Sequence, residues 1–175
     1  IWSKKKALSK TFCKKLVTKF KKDGDKYQGI VGRGNVDKKM KTSTDLAISN
    51  KERWEEEDDV LFNSLSSALI PYVEHISKNL DLTTFERMGN VRVDIAPSLC
   101  SNQKDTGYQI QETQPGDYYD WHHDGEFHLC PEHANVRKFT YIWYLNEDFD
   151  EGETEFYDGT LVKPETGLLV LFPAT

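Results

Sequence analysis

The stretch Lys138-Phe-Thr-Tyr-Ile-Trp-Tyr-Leu145 decides the fold predicted for this chain. Aromatic and β-branched residues fill it, which is typical of a β-strand. Because successive side chains of a strand point to opposite faces, Thr140, Ile142 and Tyr144 share one face of this strand. The opposite face carries the larger residues that alternate with them: Phe139, Tyr141, Trp143 and Leu145.

The same period of two recurs from residue 90 onward, so the second half of the chain is predicted to be rich in strands. Turn signals such as Pro115-Gly116 and Asp158-Gly159 separate the segments. The predicted strands are Val91–Ile95, Tyr108–Glu112, Tyr118–His123, Lys138–Leu145, Thr154–Tyr157 and Gly167–Phe172.

The front of the chain has helical spacing instead. Phe12, Leu16 and Phe20 recur four residues apart, which predicts an amphipathic helix over about 9–22. Gly24 is a plausible stop for this helix.

A second helix is predicted over 55–79, because apolar residues recur on one face and the acidic run Glu55–Asp59 suits a helix N-terminus. Pro71 is expected to kink or split this helix, since proline lacks a backbone donor. Between the two helices, residues 24–43 are predicted to form a long loop, followed by a short strand around Thr44–Ile48.

Two helices followed by short strands predict an α+β fold in which helices back a sandwich or barrel. With 175 residues the chain has the size of one ordinary domain. We expect a single domain over 1–175, with a mainly helical supporting region at 1–89 and a β-barrel core at 90–175.

Charge is distributed unevenly along the chain. The net charge is -6, yet residues 1–41 hold 14 of the 23 Lys and Arg residues and only 3 of the 29 Asp and Glu residues. The lysines of the first helix fall between its apolar positions, where charged residues usually form the solvated face. A nucleic-acid partner is therefore not expected, and the sequence does not indicate an oligomeric state.

The cysteines and the hydropathy pattern favour a soluble cytoplasmic protein. Cys13, Cys100 and Cys130 are odd in number and widely spaced, which is not typical of a disulfide framework. No apolar run approaches the ~18 residues of a membrane span, and no signal peptide is recognisable.

His122-x-Asp124 is the candidate metal-binding motif. If the segment is a strand, residues two apart point to one side, so this imidazole and carboxylate can bind one metal while His123 points away. They would supply two of the three ligands of a 2-His-1-carboxylate Fe(II) site. For the tripeptide alone, a solvated turn before Gly125 remains an alternative.

Six sequence blocks in a fixed order give this motif its context. Together they resemble a 2-oxoglutarate and Fe(II)-dependent dioxygenase of the prolyl 4-hydroxylase type, over residues 108–175. The resemblance implies a double-stranded β-helix, a cupin-like jelly-roll barrel that encloses the iron. The blocks are Tyr108-Gln-Ile-Gln111, Gln114-Pro-Gly116, Tyr119-x-Trp-His122-x-Asp124, Arg137–Asn146, Glu151-Gly-Glu-Thr-Glu-Phe156 and Pro164–Pro173.

The resemblance also implies the ligands of the iron. His122 and Asp124 match two of them, and the third, a distal His, is expected a few residues beyond Thr175. The other histidines, His75, His128 and His133, do not fit the family's pattern.

For the co-substrate 2-oxoglutarate, the resemblance implies an Arg or Lys beyond Thr175. Tyr144 is expected to help through its hydroxyl, with Thr140 on the same strand face. Tyr108 is a weaker candidate, and Gln114 stands where relatives often have a tyrosine. Ascorbate is expected to keep the iron in the Fe(II) state.

The implied activity is hydroxylation of a C–H bond, coupled to decarboxylation of 2-oxoglutarate to succinate and CO2. A protein or peptide substrate is expected, with a peptidyl proline first by family analogy. Two alternatives stay open: a jelly-roll binding module without catalysis, and a related oxygenase acting on a free amino acid or nucleobase.

Two rival metal sites are less well supported by the sequence. Cys130-x-x-His133, with His128 nearby, lacks the second ligand pair typical of structural zinc. The acidic stretch from Asp148 lacks the Gly and the final Glu of a calcium-binding EF-hand loop, and a hairpin turn explains it better.

Overall fold

The computed structural model describes residues 1–32, 34–79, 104–125 and 137–174. Within these ranges the chain forms two α-helices, α1 (Lys10–Lys22) and α2 (Glu55–Asn79), with a 3₁₀ turn at Glu52–Trp54 before α2. The strands are β1 (Trp2–Lys4), β2 (Tyr27–Gln28), β3 (Thr44–Ala47), β4 (Gln109–Glu112), β5 (Phe139–Trp143), β6 (Thr154–Glu155), β7 (Leu161–Val162) and β8 (Leu169–Pro173). The predicted strand Val91–Ile95 lies outside the described residues.

Helix α1 confirms the prediction made from its apolar spacing. Ser9 caps its N-terminus, because the Ser9 hydroxyl accepts a hydrogen bond of 3.1 Å from the Phe12 N–H. Cys13, Leu16 and Phe20 are buried, while most of the lysines between them lie on the exposed side. The lysines of α1 thus belong mainly to the solvated face of an amphipathic helix.

Helix α2 runs without a break through Pro71, so of the two predicted effects of this proline, a kink or a split, the split does not occur. The missing proline N–H leaves the carbonyl of Ser67, one turn earlier, without its helical partner. Both residues are exposed, and water can therefore replace the lost bond. Neither helix within the described ranges has the length and apolar character needed to cross a membrane.

The strands form three antiparallel sheets with the orders β1-β8-β5, β2-β3-β4 and β6-β7. Strands from the expected helical region, 1–89, thus pair with strands from 90–175 in both larger sheets. The predicted mixture of helices and strands is confirmed. A closed barrel is not seen among the described residues.

The predicted strand Tyr118–His123 is wrong. In this segment only Tyr119 forms a β-bridge, with Lys41, and the residues around it are turns and irregular backbone. The reason is that the segment hydrogen-bonds to a loop rather than to a strand. Thr42 donates its N–H to the Tyr118 carbonyl at 2.8 Å, and Asp120 donates to the Met40 carbonyl at 2.7 Å.

Strand β5 separates the hydrophobic core from the candidate site. Phe139, Tyr141 and Trp143 pack against the core. Phe139 lies edge-on to Tyr72 of α2 with ring centroids 5.2 Å apart, and Trp143 donates to the Ser64 hydroxyl of α2 at 3.2 Å. The predicted alternation of β5 is confirmed, and its other face is left to Thr140 and its neighbours.

Candidate metal centre

The segment that carries His122 and Asp124 is held at both ends by backbone hydrogen bonds. On one side, Asp120 bonds to the loop at Met40. On the other, the Gly125 N–H donates to the carbonyl of Ala174, just beyond β8, at 2.6 Å. These bonds position the motif, whereas the sequence predicted that a β-strand would position it.

His122 and Asp124 lie together although no strand aligns them. The distance from His122 Nε2 to Asp124 Oδ1 is 3.6 Å, and both side chains are partly exposed. His122 Nδ1 lies 2.7 Å from the Asp120 carbonyl oxygen. Since a carbonyl can only accept, Nδ1 carries a proton, and in the neutral imidazole the lone pair is then on Nε2, on the side of Asp124.

The second oxygen of Asp124 is bound by Thr140. The Thr140 hydroxyl donates to Asp124 Oδ2 at 2.8 Å. Thr140 lies on the face of β5 that points away from the core, so the strand itself orients the carboxylate. Asp124 Oδ1 is left for another partner.

The two donor atoms fit a metal ion by their chemistry and spacing. Two ligands on one face of an ion, each with a bond of about 2.1 Å, stand about 3 Å apart, so atoms 3.6 Å apart reach a shared ion after a small movement of the side chains. A histidine that binds a metal through one ring nitrogen usually donates the N–H of the other nitrogen to an acceptor such as a carbonyl. Among the described residues, no group of three or more His, Cys, Asp or Glu side chains could hold a metal.

His123 has a different environment from His122. Its Nδ1 contacts the backbone oxygen of Gly125. The adjacent histidines therefore have different partners, and it is His122 that lies close to the Asp124 carboxylate.

The ring of Tyr119 contacts His122, and a buried ion pair lies next to that ring. The ring of Tyr119 stacks on the imidazole, with centroids 3.6 Å apart and planes 15° from parallel. Lys41 Nζ lies 5.0 Å from the centre of the Tyr119 ring and 2.7 Å from Asp45 Oδ2. Sequence reasoning missed Lys41 and Asp45, for which the sequence has no local signal; Tyr119 stood within the quoted motif without an assigned role.

Tyr144 lies directly after β5 and on the side of Thr140. Its hydroxyl is 2.6 Å from Thr154 Oγ1 of β6. Burial raises the pKa of Tyr144, so the phenol stays protonated at neutral pH and can donate a hydrogen bond. A protonated phenol can donate a hydrogen bond to a carboxylate, so the role expected of Tyr144 stays a prediction.

Tyr108 lies on the opposite side of β5, within the core. Its ring contacts those of Tyr141 and Trp143, each at 5.9 Å between centroids, and its hydroxyl donates to Asp105 at 2.7 Å. The structure thus brings Thr140 to the pair His122 and Asp124 and Tyr144 to the same side of β5, whereas Tyr108 packs on the core side.

Of the two rival metal sites, the zinc site stays a prediction. The possible zinc ligands, His128, Cys130 and His133, lie outside the described residues. The acidic stretch from Asp148 is irregular and exposed, and its residues Glu151 and Gly152 have positive φ angles of 65° and 77°. Such angles are typical of a tight turn. Because the stretch joins β5 to β6, which belong to different sheets, it is not the predicted hairpin turn.

Residues 108–175 match the family model of the 2OG-Fe(II) oxygenase superfamily. The match includes His122, Asp124, Thr140 and Tyr144, and it supports a dioxygenase, an oxidoreductase that uses Fe(II) and 2-oxoglutarate. The family implies a jelly-roll fold. Comparison of the chain with curated proteins and with solved structures gave no match.

Proposed function

We propose that this protein is an Fe(II)- and 2-oxoglutarate-dependent dioxygenase that hydroxylates a C–H bond of a peptide, with peptidyl proline as the first candidate. The observation that carries the proposal is the pair His122 Nε2 and Asp124 Oδ1. Their outer atoms are held by Asp120 and Thr140, so both free donor atoms face the same place. The family match covers the same residues.

The third iron ligand in this proposal is a histidine that follows Thr175. The backbone bond between Gly125 and Ala174 supports it, because the chain beyond Ala174 starts next to the residue that follows Asp124. An Arg or Lys that follows this histidine would bind the far carboxylate of 2-oxoglutarate.

The bound iron, with 2-oxoglutarate and dioxygen, supplies oxidative decarboxylation and insertion of oxygen into a C–H bond. The protein's own residues bind and orient. His122 and Asp124 hold the ion, and Thr140 orients Asp124 by donating a hydrogen bond to the carboxylate. Tyr144 donates its hydroxyl proton toward a 2-oxoglutarate carboxylate, in place of its bond to Thr154.

The proposal is tested by incubating the full-length protein with Fe(II), ascorbate, 2-oxoglutarate and a proline-rich peptide in air. We expect succinate to form and the peptide to gain the mass of one oxygen atom, both lost when Fe(II) or dioxygen is omitted. Chromatography and mass spectrometry measure both products. Succinate without peptide modification would favour an oxygenase for a free amino acid or nucleobase, and Fe(II) binding without succinate would favour the binding module.

Thr140→Val is expected to weaken Fe(II) binding by about tenfold, because loss of a partner behind a metal ligand typically costs 10–100-fold in affinity. Valine keeps the shape of the side chain but removes the donor to Asp124 Oδ2. Thr140→Ser, which keeps the hydroxyl, is the matched control and should bind almost normally. Anaerobic titration calorimetry measures both, and equal affinities in the two variants would contradict the role of the hydroxyl.

A further inference from the structure

A cleft of about 420 Å³ opens beside the candidate metal centre. Its lining includes the rings of Trp121 and Tyr157, which are 58% and 99% exposed. Large aromatic side chains grouped on a surface indicate a contact site more often than a single exposed ring does. Glu155, Phe156 and Gly159 complete the lining.

The cleft is connected to the metal centre by packing. Trp121 directly precedes His122. On the other wall, the Phe156 ring lies edge-on to Phe172, with centroids 4.9 Å apart, and Phe172 pairs with Thr140, the residue that bonds Asp124. The cleft is thus linked to the proposed iron ligands through Trp121 in the chain and through Phe156, Phe172 and Thr140 in the packing.

One residue of the cleft lining, Glu155, is acidic, and the two chain segments that supply the lining carry an excess of acidic residues, with Lys138 and Lys163 directly flanking the second segment. The segments 117–124 and 139–162, from which the lining residues come, contain no Lys or Arg. Some of their carboxylates have partners: Glu147 pairs with Lys10 at 2.9 Å, and Asp158 accepts from the Thr160 N–H. The exposed Glu155 lies in the cleft itself. The acidic residues of the two segments are Asp117, Asp120, Asp124, Glu147, Asp148, Asp150, Glu151, Glu153, Glu155 and Asp158.

We propose that this cleft binds a basic segment of the peptide substrate, with a Lys or Arg side chain against the rings of Trp121 and Tyr157 and close to the Glu155 carboxylate. Aromatic faces attract cations, and an acidic surface raises the local concentration of a basic peptide. Nucleic acid and acidic peptides are repelled by the same charges. The inference rests on the proposed function only in calling the peptide a substrate.

The experiment measures binding rather than turnover. Three labelled peptides of equal length, with Lys and Arg, Gln, or Glu at the same positions, are titrated with the full-length protein in the absence of iron and 2-oxoglutarate. Fluorescence anisotropy reports the dissociation constants. We expect the basic peptide to bind at least about tenfold more tightly than the neutral one, with the difference reduced in about 0.5 M salt. Equal affinity for the three peptides would overturn the proposal.

Substitutions in the cleft distinguish binding at these residues from nonspecific electrostatic attraction to the protein surface. Trp121→Ala and Tyr157→Ala should each weaken binding of the basic peptide by up to about tenfold, and Glu155→Gln should weaken it mainly at low salt. Ile70→Ala and Glu74→Gln, at exposed positions of α2, are the matched controls and should have no effect. Equal losses in the cleft and control variants would refute the site. Basic-peptide binding without succinate formation would refute the proposed function and leave the cleft proposal intact.

Discussion

His122→Ala and Asp124→Ala are each expected to abolish Fe(II) binding and to lower succinate formation by at least about 1,000-fold. The size of the expected loss follows from the several kcal/mol by which a bound metal stabilises a transition state. Each substitution removes one of the two donor atoms that stand 3.6 Å apart. Anaerobic calorimetry measures metal binding, and the succinate assay measures turnover.

His123→Ala is the matched control for this prediction. It removes an imidazole from the adjacent position, but that ring contacts the backbone oxygen of Gly125 and is not paired with Asp124. We expect metal binding and turnover to stay within a fewfold of the unsubstituted protein. Retained turnover in His122→Ala, or a loss confined to His123→Ala, would contradict the assignment of the ligand.

Asp45→Ala is expected to lower the free energy of unfolding by about 3–5 kcal/mol, because it leaves a buried ammonium without its partner. Lys41 and Asp45 are 2.7 Å apart, and their side chains are 4% and 0% exposed. Asp45 also accepts hydrogen bonds from the Ser43 hydroxyl at 2.8 Å and from the Gln109 amide at 2.9 Å. Urea unfolding at neutral pH measures the loss.

Lys5→Ala is the control for the buried pair. Lys5 and Glu165 are also 2.7 Å apart, but their side chains are 73% and 39% exposed, so water and salt screen the attraction. We expect no measurable change in its unfolding midpoint. Asp45→Asn, which keeps the shape and part of the hydrogen bonding, should fold if the alanine variant does not and should still unfold at lower urea. An unchanged midpoint in both Asp45 variants would contradict the prediction.

The same ion pair connects stability to the candidate site. Lys41 lies over the ring of Tyr119, and that ring stacks on His122. Asp45→Ala should therefore also weaken Fe(II) binding in the protein that remains folded. Calorimetry at low temperature, without urea, can measure this binding.

Local periodicity made several elements predictable. The apolar spacing around Leu16 predicted α1, and the alternation along β5 placed Thr140 and Tyr141 on opposite faces, as the structure has them. The strand predicted at 118–123 failed because its alternating pattern carries no information about partners. The backbone there bonds to the loop around Met40, which is 80 residues away from Asp120 in the chain.

The sequence by itself determined which side chains can perform the chemistry: an imidazole at His122, a carboxylate at Asp124 and a hydroxyl at Thr140. Only the tertiary structure decided how they meet, through the Asp120 carbonyl that sets the histidine tautomer, the Thr140 bond and the anchor at Ala174. The physical reason is the distance along the chain over which each kind of information acts. Periodicity reports on which face of its own element a residue lies, whereas these hydrogen bonds mostly join residues that are distant in the chain and become neighbours only when the sheets and loops pack.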